Sequence, residues 1–467
     1  MKILFVFALL LSNIGVKWLD SNVKTYDKIQ KSIHEYAEPG FLEYKSSALL
    51  IDHLKEHGFT VESGVAGMPT AFVATYGSGE PVIGILAEYD ALPGLSQDTT
   101  ARFSPRVEDG YGHGCGHNLL GTGSVAAAVA ISKWLKEGHK GTIKVFGCPA
   151  EEGGSGKSFM VRDGIFDGVD CAFAWHPSRY NRVHRNTYTA KVGIVFDFEG
   201  VSSHAASYPQ NGRSALDAVE AMNHMMNLNR EHFPFESRVH YVITDGGKAP
   251  NIVPAKAQVY YFLRHPDPKE LMKIQERTIR AAEGAAMGTG TTVKYSFVSA
   301  SYPILNNDVL CGLAQKNLEK IGGICLTEEE KAYLSELKRN AGRTEGVYFD
   351  RFEDVQPLGN IMTTGGSDDT GDVSQIMPLF KVETCSNIIG SHTWYYASIS
   401  GTMIGTKALI NAAKVLYLTA LDIFTKPKEL QKAKEEFVSV KGEGYEYVSL
   451  IGDAAPPIEF YKQEAAR

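Results

Sequence analysis

The chain has 467 residues, 43% hydrophobic and 22% charged, with a formal net charge of -7. This describes a globular protein with apolar material for two or three domains, and the acidic balance without a long Lys/Arg run disfavours nucleic acid as a partner. Six scattered cysteines (Cys115, Cys148, Cys171, Cys311, Cys325 and Cys385) do not make a disulfide framework, so the fold should not depend on disulfides.

Residues 1–22 open with Met1-Lys2 and the apolar run ILFVFALLL. They read either as a secretory signal or as a frayed or buried N-terminal segment. Two placements follow: cytoplasmic, or periplasmic or secreted if the segment is a signal. The run is too short for a comfortable span of about 20 residues, and no later stretch reads as a membrane span. Residues 23–58 read as helical, with Ile29, Ile33 and Tyr36 at helical spacing and Leu49, Leu50, Ile51 and Leu54 repeating it after Pro39-Gly40. Pro81 to Leu86 is a short apolar strand running into Glu88 and Asp90. Asp98 to Asp109 is polar and irregular, a loop over a site.

Next comes YGHGCGHN, which sets two imidazoles and a thiol on a glycine-laced loop. Ser124 to Gly138 reads as a helix ended by glycine and Thr142 to Phe146 as a buried strand. Glu151-Glu152 follow that strand, set off by Gly153-Gly154. Val169 to Trp175 is another apolar run, ending at His176-Pro177. Three apolar runs thus end in acidic or imidazole side chains. In a mostly parallel α/β sheet such residues gather outside the carboxyl ends of the strands.

The texture changes between residues 187 and 302. A strand from Ala190 to Glu199, a helix from Ser214 to Arg230, strands at Arg238–Thr244 and Ala257–Arg264, a helix from Asp267 and a strand from Thr291 predict a small ferredoxin-like insert. Residues 303–425 return to α/β character. They carry a charged helix from Glu328, a Gly/Ser/Asp loop from Thr364 to Asp372, an apolar run from Leu379 to Thr384, Ser391-His392-Thr393-Trp394, and a long closing helix from Thr402 to Phe424. The tail, residues 426–467, reads as a charged surface strap. Neither an internal repeat nor a low-complexity segment is present.

Taken singly, each candidate has a bland alternative. A buried Cys is usually a packed hydrophobe, a lone His a hydrogen-bonded structural residue, and a Glu pair one solvated helix face. The Gly-rich loops match neither a P-loop nor a dinucleotide fingerprint. Together, a Cys/His loop and two carboxylates just past a strand point to a metal site with a general base beside it. A hydrolase using Cys115 as nucleophile, and a non-catalytic metal- or small-molecule-binding protein, are the rival readings.

The motifs AEYDALPG, GHGCGHN, GCPAEEGGSGK, AWHP, SSHAA, NIVP, GSDDTGDVS and GSHTW, in that order across about Tyr26 to Phe424, resemble the amidohydrolase branch of the M20 metallopeptidase family. The resemblance implies an α/β fold: a zinc-peptidase-like catalytic domain with a mixed sheet (residues 23–186 and 303–425), interrupted by a ferredoxin-like α+β dimerisation or lid domain (187–302). It implies two divalent metal ions per subunit, Zn²⁺ or Mn²⁺, held by Cys115, His117, Glu152, His176 and His392. Glu151 is then the general base, and Asp90 orients a ligand. His204 reaches across a homodimer to the oxyanion, and Asn251 and Arg264 grip substrate. For Arg264 a strand-end surface ion pair is an equal alternative. Glu88 falls where many relatives carry a ligand histidine or aspartate, and its role is left open. The implied reaction is hydrolysis of an N-acyl-amino-acid amide bond in an aminobenzoyl-glutamate-like small molecule, with dipeptidase or aminoacylase activity as the alternative.

Overall fold

The fold, taken from a computed structural model, is described for residues 14–342, 349–388 and 390–466. The apolar run at the N-terminus lies outside the described residues, so neither reading of it is decided. Eleven strands are present among the described residues: β1 (Thr60–Ser63), β2 (Phe72–Ser78), β3 (Val82–Ala87), β4 (Gly141–Gly147), β5 (Cys171–Ser178), β6 (Arg182–His184), β7 (Ala190–Glu199), β8 (Arg238–Asp245), β9 (Lys256–His265), β10 (Thr292–Ser301) and β11 (Leu379–Cys385).

Seven of these form one mixed sheet in the order β1-β2-β4-β3-β5-β11-β6. Its centre, β4-β3-β5-β11, is parallel, and the strands outside that centre pair antiparallel. The central strands read as near-continuous apolar runs because both faces are covered. Ile83, Ile85, Ile143, Val145, Phe173 and Val382 belong to the core under the helices His117–Lys136 and Met403–Thr425. The alternate residues Leu86, Phe146, Ala172, Ala174 and Leu379 join the core on the opposite face. Sequence reading missed β1, β2 and β6, which are short or lie at the sheet's margins.

The other four strands make an antiparallel sheet, β10-β7-β9-β8, with every pairing between neighbours antiparallel. Helices Ala215–Asn229 and Pro268–Thr289 pack on one of its faces, giving a βαββαβ order. The mixed α/β sheet plus a smaller ferredoxin-like unit is the architecture the motifs led us to expect.

Two expectations are corrected. Met403–Thr425 does have the length and apolarity of a membrane span, but it is mostly buried inside the protein as a core helix. The tail is more than a surface strap. Pro427–Lys441 and Ile458–Ala465 are helical, Leu450 and Ile451 are buried, and the final helix lies against the lid sheet.

Candidate metal and active site

The carboxyl ends of the parallel strands build the site. β3, β4 and β5 deliver Glu88 and Asp90, Glu151 and Glu152, and His176 to one rim, where β11 is the next parallel neighbour. The loop expected to carry both imidazoles divides. His117 opens the helix His117–Lys136, which begins earlier than its alanine-rich part suggested. His113 turns away, buried, with Nε2 3.0 Å from the Ile33 carbonyl. The hinge between them is Gly116, at φ 81°, where an added Cβ would come within 2.8 Å of Pro177 and 2.7 Å of the Tyr396 hydroxyl. Only glycine fits that turn.

His117 donates from Nδ1 to Asp90 Oδ1 at 2.7 Å. The other Asp90 oxygen accepts the Glu152 backbone N–H at 2.8 Å. One buried carboxylate thereby fixes both the ring at the helix start and the turn after β4. His176 makes a 2.7 Å hydrogen bond from Nδ1 to its neighbour's carbonyl, leaving Nε2 3.5 Å from Cys115 Sγ. His392, held at φ 60° with its N–H bonded to the Gly114 carbonyl at 2.7 Å, places Nε2 3.3 Å from Glu152 Oε1. Such left-handed backbone in a non-glycine residue is strained and recurs at Ala150 (φ 57°) and Ser155 (φ 57°), which flank the Glu pair.

Two triads of donor atoms result, Cys115–His117–His176 and Cys115–Glu152–His392, each with its atoms within 4.8 Å of one another and both sharing the thiol. His117 Nε2 and Glu152 Oε1 are buried and make no hydrogen bond. Buried polar atoms without hydrogen bonds are costly, and a cation in each triad, the first facing His117 and the second Glu152 with His392, would remove the cost. The donor set of soft thiolate, imidazoles and carboxylate therefore fits divalent metal. A third triad, Glu88–His117–Glu151, sits alongside.

The electrostatics separate the two neighbouring glutamates. Burial and the adjacent Glu152 push the Glu151 carboxyl well above the usual range. Burial also works against a charge on Glu152, but His392 and His117 hold its carboxyl down to about 2. Burial and Glu152 push the Cys115 thiol well above its ordinary value. Burial disfavours a charged His117, yet Asp90 raises it well above 6.5.

Beneath the triads lies a group that sequence reading missed. The fully buried Lys157 places Nζ 2.6 Å from Glu88 and 2.5 Å from Asp369, while Lys381 is 2.5 Å from Asp368. Glu88, Asp368 and Asp369 could hold an ion by distance alone, but each is already paired with one of the two ammonium groups. Burial opposes a charge on Glu88, and Lys157 nonetheless keeps its carboxyl below the usual range. The signal was legible as Lys157 and the Asp pair inside Gly-rich motifs, where the charges lack a solvated face.

A cavity of about 540 Å³ opens over Glu151, Glu152 and His392. Arg264 lines it, together with Lys191, Tyr260 and Phe262. His204 and Asn251 do not. His204 is exposed, its Nδ1 accepting the Ala206 and Ser207 amides at 3.2 and 3.0 Å, and the Asn251 carbonyl accepts the Ala205 N–H at 3.0 Å. The two sit together on the lid, away from the cavity of this copy.

Comparison with known proteins agrees with this geometry. The profile of Peptidase family M20/M25/M40 matches residues 84–341. The chain is 36% identical over 450 residues to one of the p-aminobenzoyl-glutamate hydrolase subunits of Escherichia coli (strain K12), covering 90% of this chain and 94% of that protein. It is 31% identical over 382 residues to the Xaa-Arg dipeptidase of Mus musculus, covering 79% and 78%. The crystal structure of an aminobenzoyl-glutamate utilization protein from Klebsiella pneumoniae superposes with a TM-score of 0.57 at 18% identity, over 84% of this chain and 97% of that one, which speaks to the fold. The resemblance carried by the eight motifs is therefore correct: the chain belongs to the M20/M25/M40 peptidase family and is a metal-dependent amidohydrolase.

Proposed function

We propose that this chain hydrolyses the amide bond of an N-acyl amino acid of the aminobenzoyl-glutamate kind. The observation that carries the reading is the pair of donor triads sharing Cys115 beside a substrate-sized cavity. Cys115, His117, Glu152, His176 and His392 would hold two divalent ions, and Zn²⁺ or Mn²⁺ would meet this donor set. When bound, such a pair polarises the substrate carbonyl and activates a water.

Glu151, on the cavity wall beside these ligands, takes a proton from the attacking water and passes it to the leaving nitrogen. Asp90 keeps His117 in the tautomer whose Nε2 faces the cluster. Arg264 and Lys191 supply cationic capture for the carboxylates of an acidic amino acid, which favours glutamate over a basic residue at that end. His204 and Asn251, remote from the cavity of their own copy, act on that of a second copy in a homodimer. There the imidazole stabilises the developing oxyanion. The Escherichia coli relative is one of two differently named subunits of its hydrolase, so assembly with a different chain is the other arrangement open to this surface.

The sulfur-nucleophile reading competes for the same thiol that both donor triads share, and chelation separates the two. The test is metal analysis of the purified chain with hydrolysis of aminobenzoyl-glutamate before and after chelation. About two ions per chain, with activity lost on chelation and restored by Zn²⁺ or Mn²⁺, is the expected result. Hydrolysis that survives chelation would overturn the proposal in favour of Cys115.

A further inference from the structure

The cavity is not closed by the catalytic and lid units alone. Phe460, Tyr461 and Glu464, from the last helix Ile458–Ala465, line it together with the Glu pair and with Tyr260 and Phe262 of β9. The helix is tied to both units. Phe460 stacks edge-on to Tyr260 of β9 with ring centres 5.6 Å apart, and Tyr461 does the same to the buried Phe41 of the catalytic unit at 5.1 Å. The Tyr461 hydroxyl rests against the turn after the Glu pair, 3.1 Å from where a Cβ on Gly153 would stand. The segment leading to the helix is anchored as well. Tyr447 donates to the buried Asp372 at 2.5 Å, Tyr302 donates to the Val448 carbonyl at 2.7 Å, and Arg162 donates to the Ala454 carbonyl.

The ring contacts sort the cavity wall into two chemistries. Phe262 is flanked by cations, with Lys191 Nζ 5.3 Å and the Arg264 guanidinium 5.7 Å from its centre. Tyr260, Phe460 and Tyr461 form a continuous run of edge-to-face rings, the last two 5.5 Å apart, and Tyr111 also lines the space. A cationic corner suits carboxylates, whereas a wall of aromatic edges and faces suits a flat aromatic group.

We propose that the C-terminal helix is a fixed wall of the substrate pocket, and that Phe460 and Tyr461 on it select an aromatic acyl group. This rests on the amidohydrolase reading and adds to it which half of the substrate meets which residues. The aromatic run begins at the cationic corner itself, since Tyr260 lies edge-to-face to Phe262 with ring centres 5.0 Å apart. With its carboxylates in that corner, an acetyl group brings no ring to the run, whereas a benzoyl group presents a flat ring to it.

The test is calorimetric binding of N-benzoyl-glutamate and N-acetyl-glutamate to the metal-loaded full chain carrying Glu151→Gln, which halts turnover. The benzoyl compound should bind at least about tenfold more tightly, the size of one or two aromatic contacts. Adding Tyr461→Ala or Phe460→Ala should bring that ratio close to one, while Tyr461→Phe, which keeps the ring, retains it. A ratio near one in the Glu151→Gln chain, no binding of either compound, or equal weakening of both by Tyr461→Ala would overturn the proposal. Failure of the wild-type chain to hydrolyse either compound would count against the amidohydrolase reading instead, and the binding comparison still decides this one.

Discussion

Glu151 and Glu152 are adjacent in the chain, yet their surroundings drive their carboxyls in opposite directions. Burial and the neighbouring charge raise the first, while two imidazoles hold the second down to about 2. Two residues of one type, which composition cannot tell apart, are thus made electrostatically distinct. Replacing Glu151 with Gln should lower turnover by about 10³-fold while metal content stays at the wild-type level, measured by elemental analysis alongside kinetics. Loss of metal with activity would reassign Glu151 as a ligand. Asp90 acts at one remove, through the His117 ring and the Glu152 amide. Asp90→Ala should weaken metal binding about 10- to 100-fold in competition with a chromophoric chelator, and an unchanged affinity would show that the ring needs no such support. The ligand types were legible in the sequence because they cluster in short motifs. The turned-away His113 was not, since a nearby position in the same motif carries the same side chain and only the Gly116 turn separates them.

At the scale of elements, the short helix Gly156–Arg162 carries Lys157 into a place with no solvent, between Glu88 at the end of β3 and Asp369 of the loop before β11. Removing one partner from such a buried group leaves uncompensated charge. Lys157→Met should cost about 3–5 kcal/mol of stability by denaturant unfolding. A cost under about 1 kcal/mol would mean that the carboxyls simply take up protons. Asp372, in the following helix Thr370–Ser374, is pushed up to about 7 by burial, against the hydrogen bonds from Tyr447 and the Tyr302 amide. The folded chain then keeps this proton up to about pH 7, whereas an unfolded aspartate releases it near about 3.9. Between those values the folded state binds more protons, so this group's contribution to stability falls as pH rises from about 4 to 7. Asp372→Asn should flatten that slope in urea midpoints measured from pH 5 to 8, and an unchanged slope would assign it to other groups. The long core helices and the parallel strands were readable from apolar runs and turn residues, whereas the helices Gly156–Arg162 and Asp308–Ile321 and those of the tail were not. Nor was β6, because it is three residues long and its pairing partner β11 is far off in sequence; β2, with the strand-favouring Phe72, Val73, Thr75 and Tyr76, carried a signal that went unused.

For the whole molecule, the lid places His204 and Asn251 on a surface away from their own cavity, so a site completed by a second copy has a distinctive signature. Chains carrying Glu151→Gln and chains carrying His204→Ala should each be inactive. Mixed and allowed to exchange, they should recover about a quarter of wild-type activity, because half of the dimers are mixed and one of their two sites is intact. No recovery after exchange would place the role of His204 within its own chain or remove it from catalysis. The tail shows where sequence reading ends. Its charged, proline-containing composition describes a solvated strap well enough, but nothing local says that Phe460 and Tyr461 turn inward, because the rings that receive them belong to Phe41 and β9.

The placement of β11 has a consequence for how the protein is made. It lies between β5 and β6, yet the whole four-stranded unit and the helices after it are translated before β11 leaves the ribosome. Until then β5 lacks this parallel neighbour, which flanks it in the finished sheet. His392 and the aromatic helix emerge later still. Metal held by both triads can therefore be captured only after nearly all of the chain has been synthesised.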